Sequence, residues 1–113
     1  MNGGGIVMEL KKLAEYKQFS EDRFTKVDFV KNHRSIGFVL NFLPRQEMKA
    51  HHHPGKDLFL YMLDGSGTIT IDDEPTVLEV GDVLYCEAEE KVGFINTGEE
   101  KVSIYGTMTK TVE

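Results

Sequence analysis

Residues 51–65 read HHHPGKDLFLYMLDG, and this stretch decides the fold class. Pro54-Gly55 is a turn signal, the segment from Leu58 to Leu63 is rich in β-forming side chains, and a second turn begins at Asp64-Gly65. A short apolar segment with turn residues on both sides is typical of a strand in a hairpin-rich protein. The stretch therefore predicts one strand joined to its neighbours by tight turns.

Turn residues also separate short apolar segments on both sides of this strand. Upstream, the apolar run 36–43 ends at Pro44 and predicts a central strand, and an alternation around Val27 and Phe29 predicts another. Downstream, the turn signals recur at 72–75, 80–82 and 96–98. About nine short strands with no helix of useful length indicate an all-β protein, an antiparallel sandwich or barrel.

Length and composition limit the chain to one globular domain. It has 113 residues, of which 40% are hydrophobic and 28% are charged. Residues 1–7, which contain three consecutive glycines, are predicted to be a flexible leader, and residues 8–113 to form the single domain. The sequence contains no apolar run long enough to span a bilayer and no signal-peptide pattern at its start. With a single cysteine, Cys86, we expect a cytoplasmic protein without an intramolecular disulfide.

The charge balance disfavours two classes of partner. The formal net charge is −6, and the basic residues are scattered along the chain. A phosphate backbone or an anionic membrane would be repelled. We therefore expect no nucleic acid and no membrane as partners, and predict a small molecule, an ion or a second copy of the chain.

The histidine triplet is the first candidate site. In an extended chain alternate side chains share a face, so His51 and His53 are predicted on one side and His52 on the other. Imidazole is the commonest protein ligand for divalent transition metals, and two on one face are half of a typical site. The alternative is a hydrated strand edge without a function. His33 lies in a polar turn and is expected on the surface.

Two stretches carry a family resemblance. Residues 51–65 resemble the first signature of the cupin family, G-x5-H-x-H-x(3,4)-E-x6-G, and residues 81–98 are similar to the second, G-x5-P-x-G-x2-H-x3-N. His51, His53, Gly65, Gly81 and Asn96 match. The resemblance covers roughly residues 36–108. It implies a conical jelly-roll barrel, also called a double-stranded β-helix, with an internal pocket and a homodimeric assembly.

The departures from the two signatures determine how many metal ligands the chain retains. The resemblance implies four ligands, the two histidines and the glutamate of the first signature and the histidine of the second. The second-signature histidine position holds Val92, while the glutamate position falls on Asp57 or Leu58, depending on the end from which it is counted. If Asp57 turns inward, His51, His53 and Asp57 form a two-histidine, one-carboxylate set for Fe, Mn, Ni or Zn. If Leu58 turns inward, only two ligands remain, and the strand register decides.

Four further positions depart from the pattern or are chemically reactive. Glu87 and Glu89 replace the proline and glycine of the second signature, and a solvated turn is the simplest interpretation. Arg45 stands at the leading glycine of the first signature. Cys86 is expected to be a small buried apolar residue, with metal ligation or thiol reactivity as the alternative.

Two functions follow from these residues. The first is a cupin that binds a small organic ligand in its barrel, favoured because an apolar Val92 in place of an imidazole suits hydrocarbon better than a cation. The alternative is a divalent-metal enzyme of dioxygenase or isomerase type that uses His51, His53 and Asp57. An interaction module is a third class, which no residue singles out. The fold alone does not select among them.

Overall fold

The computed structural model describes residues 8–111, so the predicted leader at residues 1–7 lies outside the described residues. These residues contain a single turn of 3₁₀ helix, Leu13–Tyr16, and nine strands. The strands are β1 (Thr25–Lys31), β2 (Ser35–Phe42), β3 (Glu47–His51), β4 (Lys56–Asp64), β5 (Ser66–Ile71), β6 (Glu74–Glu79), β7 (Val83–Cys86), β8 (Val92–Ile95) and β9 (Val102–Lys110).

The strands form two antiparallel sheets. One sheet has five strands in the order β1-β2-β9-β4-β7, and the other has four in the order β3-β8-β5-β6. Every pairing within them is antiparallel. The predicted all-β antiparallel fold is confirmed, as is the expectation of short strands joined by frequent turns. Among residues 8–111, no helix is long and apolar enough to cross a membrane.

The core lies between the two sheets and draws on both. On β4 the alternation is clear, since Leu58, Leu60 and Met62 are buried while Phe59 and Tyr61 are exposed. Each fully buried side chain of this size contributes about 1.5–3 kcal/mol through the hydrophobic effect. The period of two therefore holds β4 in a single register, because a slip of one residue would expose the whole set.

A bulge in β3 changes which side chains of the histidine triplet face inward. Met48 pairs with Phe94 and His51 pairs with Val92, so three steps along β3 match two steps along β8. Without the extra residue, a strict alternation from the buried Met48 would turn His52 inward. The bulge shifts the alternation by one residue and brings His51 to the core side, opposite Val92.

Apart from the histidines, residues that match the two signatures have structural roles, as Gly65 and Asn96 show. Gly65 has a φ of +79°, and a Cβ at this position would collide with the Lys101 carbonyl oxygen. Asn96 is fully buried, and its side-chain amide donates to the carbonyl oxygens of Phe42 and Glu100 at 3.2 and 2.8 Å. Asn96 thereby ties the β8-β9 connection to the end of β2, which holds the two sheets together at this end.

The outer face of the five-stranded sheet is only partly covered. The 3₁₀ turn lies over the β1-β2-β9 part, where the Tyr16 ring meets Phe29 edge-on at 5.9 Å. Beneath it, the buried Asn41 amide donates to the Tyr16 carbonyl at 2.9 Å, and the Asn41 amide oxygen accepts from the Ser103 hydroxyl. The β4-β7 part of the same face lies beyond this cover.

Candidate functional site

A small cavity opens between the two sheets at the end of the core. Its volume is about 50 Å³. The lining is largely apolar but includes three nitrogen-bearing side chains and, among the described residues that line it, no carboxylate. The lining residues are Lys26, Phe38, Leu40, Met48, His51, His53, Leu58 and Met108.

His51 and His53 both line this cavity and His52 does not, although His51 is also exposed to solvent. The two imidazole rings lie 5.3 Å apart, centroid to centroid, in an edge-to-face arrangement. The Nδ1 of His51 is 2.8 Å from the Lys49 carbonyl oxygen. Because a carbonyl oxygen only accepts, this Nδ1 carries a proton, and the Nε2 is the nitrogen left for a ligand.

His53 lies in a less polar environment than His51. Its Nδ1 is buried and has no hydrogen-bond partner among the described residues. Partial burial, followed by the charges of His51, His52 and Lys56, lowers the pKa of His53 below the ordinary value of 6.5. His53 is therefore a neutral imidazole at pH 7, with a nitrogen whose hydrogen-bonding capacity is unused.

The register of β4 decides between the two candidates for the glutamate position. Leu58 is buried and lines the cavity. Asp57, one residue earlier, belongs to the opposite face with Phe59 and Tyr61. Its carboxylate lies near Tyr85, whose pKa is raised by partial desolvation and then by the charges of Asp57 and Glu87. The structure thus brings together His51 and His53 but not Asp57.

Val92 occupies the remaining ligand position of the sequence pattern. It pairs directly with His51 across β3 and β8, and its side chain is fully buried in the core. Side chains of directly paired residues project to the same face of a sheet. The hydrocarbon of Val92 therefore stands beside His51, where the second signature has an imidazole.

Lys26 is a charged lining residue that sequence reasoning missed. It pairs with Leu40, whose side chain lines the same cavity, and its Nζ lies 4.8 Å from the Phe38 ring centroid. The Nζ is also 2.8 Å from the Asp28 carboxylate. In the sequence, Lys26 and Asp28 alternate with apolar Val27 and Phe29, a pattern that points polar residues away from a core. Since β1 is an edge strand, its inner face reaches only the cavity mouth.

The family of the protein follows from a comparison of its sequence with known protein families. Residues 38–108 match the cupin domain. The chain belongs to the cupin family. The match includes most of the core strands and the two signature stretches, so the resemblance inferred from the sequence is confirmed. None of the curated proteins matches the chain significantly.

Crystal structures of other proteins share this cupin's fold. TT1209 from Thermus thermophilus is 22% identical with a TM-score of 0.86, over 91% of this chain and 98% of that one. An uncharacterized conserved protein with a double-stranded β-helix domain from Klebsiella pneumoniae is 19% identical with a TM-score of 0.86, over 92% and 91%. An RmlC-like cupin protein from Desulfovibrio desulfuricans is 20% identical with a TM-score of 0.80, over 91% and 97%. At these identities the likeness concerns the fold alone.

The donor set of this cupin falls short of a metal site. Cupins often bind divalent metals, and protein metal sites typically have at least three protein ligands. Here His51 and His53 share the cavity, but Leu58 and Val92 stand where two further ligands are expected. Nowhere in residues 8–111 do three histidine, cysteine or acidic side chains gather closely enough to hold an ion. The metal set of His51, His53 and Asp57 stays a prediction.

The remaining candidates of the second signature lie outside the cavity lining. Glu87 and Glu89 are exposed, and the Glu87 N–H donates to the Glu90 carboxylate at 2.8 Å, which is a hydrated turn. Cys86 is buried in the core. Burial, followed by the charges of Glu90 and Asp72, raises the pKa of Cys86 to about 11. At pH 7 it is a thiol and packs as the small buried residue that the sequence predicts.

Proposed function

We propose that this cupin binds a small organic molecule in the cavity between its sheets. The observation that carries the proposal is the pair of buried apolar side chains, Leu58 and Val92, at positions where the cupin signatures have metal ligands. An apolar lining is favourable for hydrocarbon and unfavourable for a hydrated cation. The cavity therefore suits an organic molecule better than a bare ion.

The two imidazoles supply polar contacts for such a ligand. The Nδ1 of His53 is buried without a partner among the described residues, which costs on the order of 1–3 kcal/mol. A polar group of a bound ligand that reaches this nitrogen would recover part of that cost. Because the Nδ1 of His51 is committed to the Lys49 carbonyl, its Nε2 is the ring nitrogen left to contact a ligand. A few polar groups in an apolar cavity are typical of small-molecule sites.

The size of the cavity limits the ligand. Its volume of about 50 Å³ is small for a ligand site. A short aliphatic group fits, with its polar end at the open mouth. The ligand is therefore small, or inserts only a short end into the protein.

The test is a titration of ¹⁵N-labelled protein with butyramide, a neutral probe, followed by two-dimensional NMR. We expect saturable shifts in amides of β2, β3 and β9 around the cavity. Met108 lines the cavity, so Met108→Trp should fill it and abolish the shifts. Thr107→Trp, one residue earlier and on the other face of β9, is the matched control and should retain them. Binding that survives Met108→Trp, or saturable shifts confined to another surface, would contradict the proposal.

A divalent-metal enzyme is the second candidate, favoured by the two imidazoles 5.3 Å apart. The metal affinity of the protein is measured by calorimetric titration with Ni²⁺ or Zn²⁺. If the unchanged protein binds the metal and His51→Ala does not, the result supports this candidate. Weak binding that His51→Ala leaves unchanged would count against it.

For either function we propose the cytoplasm as the compartment, in keeping with the single buried thiol of Cys86.

A further inference from the structure

The geometry points to a small carboxylic acid as the ligand, with its carboxylate on the Lys26 ammonium and its short aliphatic chain among the apolar lining residues. The inference rests on the proposed function, since it names the class of molecule that the cavity takes. It adds a residue, Lys26, that lies outside both cupin signatures.

The position of Lys26 is fixed by its strand and its neighbours. On β1 it pairs with Leu40, and its side chain shares the face of Leu40 and Phe38, both of which line the cavity. The ammonium stands over the Phe38 ring and pairs with the Asp28 carboxylate at 2.8 Å. The aromatic face and the carboxylate both attract the cation. Lys26 is therefore held at the mouth, where a ligand head group would sit.

The charge of the lining favours an anionic head group. Although the protein carries a formal net charge of −6, none of the eight lining residues is acidic and one is a lysine. Lys26 is the one lysine among these lining residues, and its ammonium can donate to a carboxylate. Because the Asp28 carboxylate already pairs with the Lys26 ammonium, added negative charge at the mouth is repelled, and a carboxylate monoanion is repelled less than a phosphate dianion.

The apolar part of the lining sets the length of the acid. Leu40, Met48 and Met108 offer hydrocarbon within a volume of about 50 Å³. Only the end of a short chain enters this volume when the head group stays at the mouth. Butyrate is therefore a suitable probe, and butyramide and butylamine are its neutral and cationic counterparts of nearly the same shape.

The test compares dissociation constants of butyrate, butyramide, butylamine and propyl phosphate by NMR at low salt. For the unchanged protein we expect butyrate to bind about threefold to tenfold more tightly than butyramide, and butylamine most weakly. The preference should decrease at high salt, since the head group is at the surface. Lys26→Met should abolish it and Lys26→Arg should keep it. The matched control is Lys31→Met, which removes an exposed lysine from the same strand and should leave the preference unchanged.

The outcomes separate this inference from the proposed function. If butyramide binds in the cavity as tightly as butyrate, or if Lys26→Met keeps the preference, the carboxylate assignment is wrong while small-molecule binding stands. Tighter binding of propyl phosphate than of butyrate would also overturn it. If no probe binds in the cavity, both the inference and the proposed function fail.

Discussion

At the scale of single residues, the chemistry of this cupin depends on two apolar side chains in the first and second signatures. Leu58 follows Asp57, the carboxylate that would complete a ligand set, and the register of β4 turns Leu58 inward. Val92 pairs with His51 and contributes hydrocarbon to the core. The barrel thus retains the two histidines of a metal-binding cupin but surrounds them with groups that do not bind cations.

The assignment of Val92 to the vacant ligand position predicts a gain of metal affinity. Val92→His adds a third nitrogen beside two imidazoles that already share the cavity, so Ni²⁺ or Zn²⁺ affinity should rise by about tenfold or more, equivalent to about 1.4 kcal/mol. Loss of the buried valine costs about 1–3 kcal/mol of stability, which bound metal should partly offset. Calorimetric titration and thermal unfolding, each with and without metal, measure the two effects.

The control for this prediction is the double substitution His51→Ala with Val92→His. Removing His51 takes away the imidazole opposite the new side chain, so the gain in affinity should disappear. The assignment is wrong if Val92→His folds normally and binds metal no more tightly than the unchanged protein. It is also wrong if the double substitution keeps the whole gain.

At the scale of elements, the turn residues predicted the strands well, but the faces of the strands needed the structure. On β4 the simple alternation was sufficient to place Leu58 once the register was known. On β3 the bulge between Met48 and His51 has no clear mark in the sequence, yet it decides which histidines face inward. On β1 the alternation gives two faces, and tertiary packing places Phe29 against Tyr16 and Tyr105 outside the barrel. Lys26 thereby reaches the cavity.

The turn before β3 carries a conformational strain that a substitution can reveal. Arg45 has a φ of +75°, in the left-handed region that favours glycine, at the position where the first signature has a glycine. For a residue with a Cβ this conformation costs roughly 1–2 kcal/mol. The Arg45 guanidinium donates to the Gly98 carbonyl oxygen and the Glu99 carboxylate, but these contacts are exposed and contribute little.

We therefore expect Arg45→Gly to be more stable than Arg45→Ala by about 1 kcal/mol. Both substitutions remove the guanidinium contacts, so their difference reports the backbone conformation alone. Urea unfolding monitored by circular dichroism measures it. The matched control is Glu47, an exposed residue in the extended backbone of β3, where alanine should be more stable than glycine. Equal stability of the two Arg45 variants would show that the turn relaxes without strain.

At the scale of the whole molecule, part of one sheet face is left without a cover. Three aromatic side chains and a valine on β4 and β7 form an apolar surface. Their exposed fractions are 44% for Phe59, 38% for Tyr61, 67% for Val83 and 49% for Tyr85. Phe59 pairs with Tyr85 and Tyr61 with Val83, so the four side chains are contiguous. With about 150–250 Å² for each aromatic side chain, the surface exposes roughly 400 Å². A standard interface buries about 800 Å² per partner, so this surface would form its apolar centre.

This surface predicts where the homodimer expected from the sequence forms. A second copy suits it because β7 is the edge of its sheet, and a twofold axis brings the same patch and the same edge of both copies together. We expect a dimer by sedimentation velocity at micromolar concentration. Val83→Lys should shift the protein toward monomer, since it places two like charges at the centre of the interface. Val77, 61% exposed on β6 of the other sheet, provides the matched control, and Val77→Lys should leave the dimer intact. A monomeric unchanged protein would show that no dimer forms, and a dimer that survives Val83→Lys would place the interface on another surface.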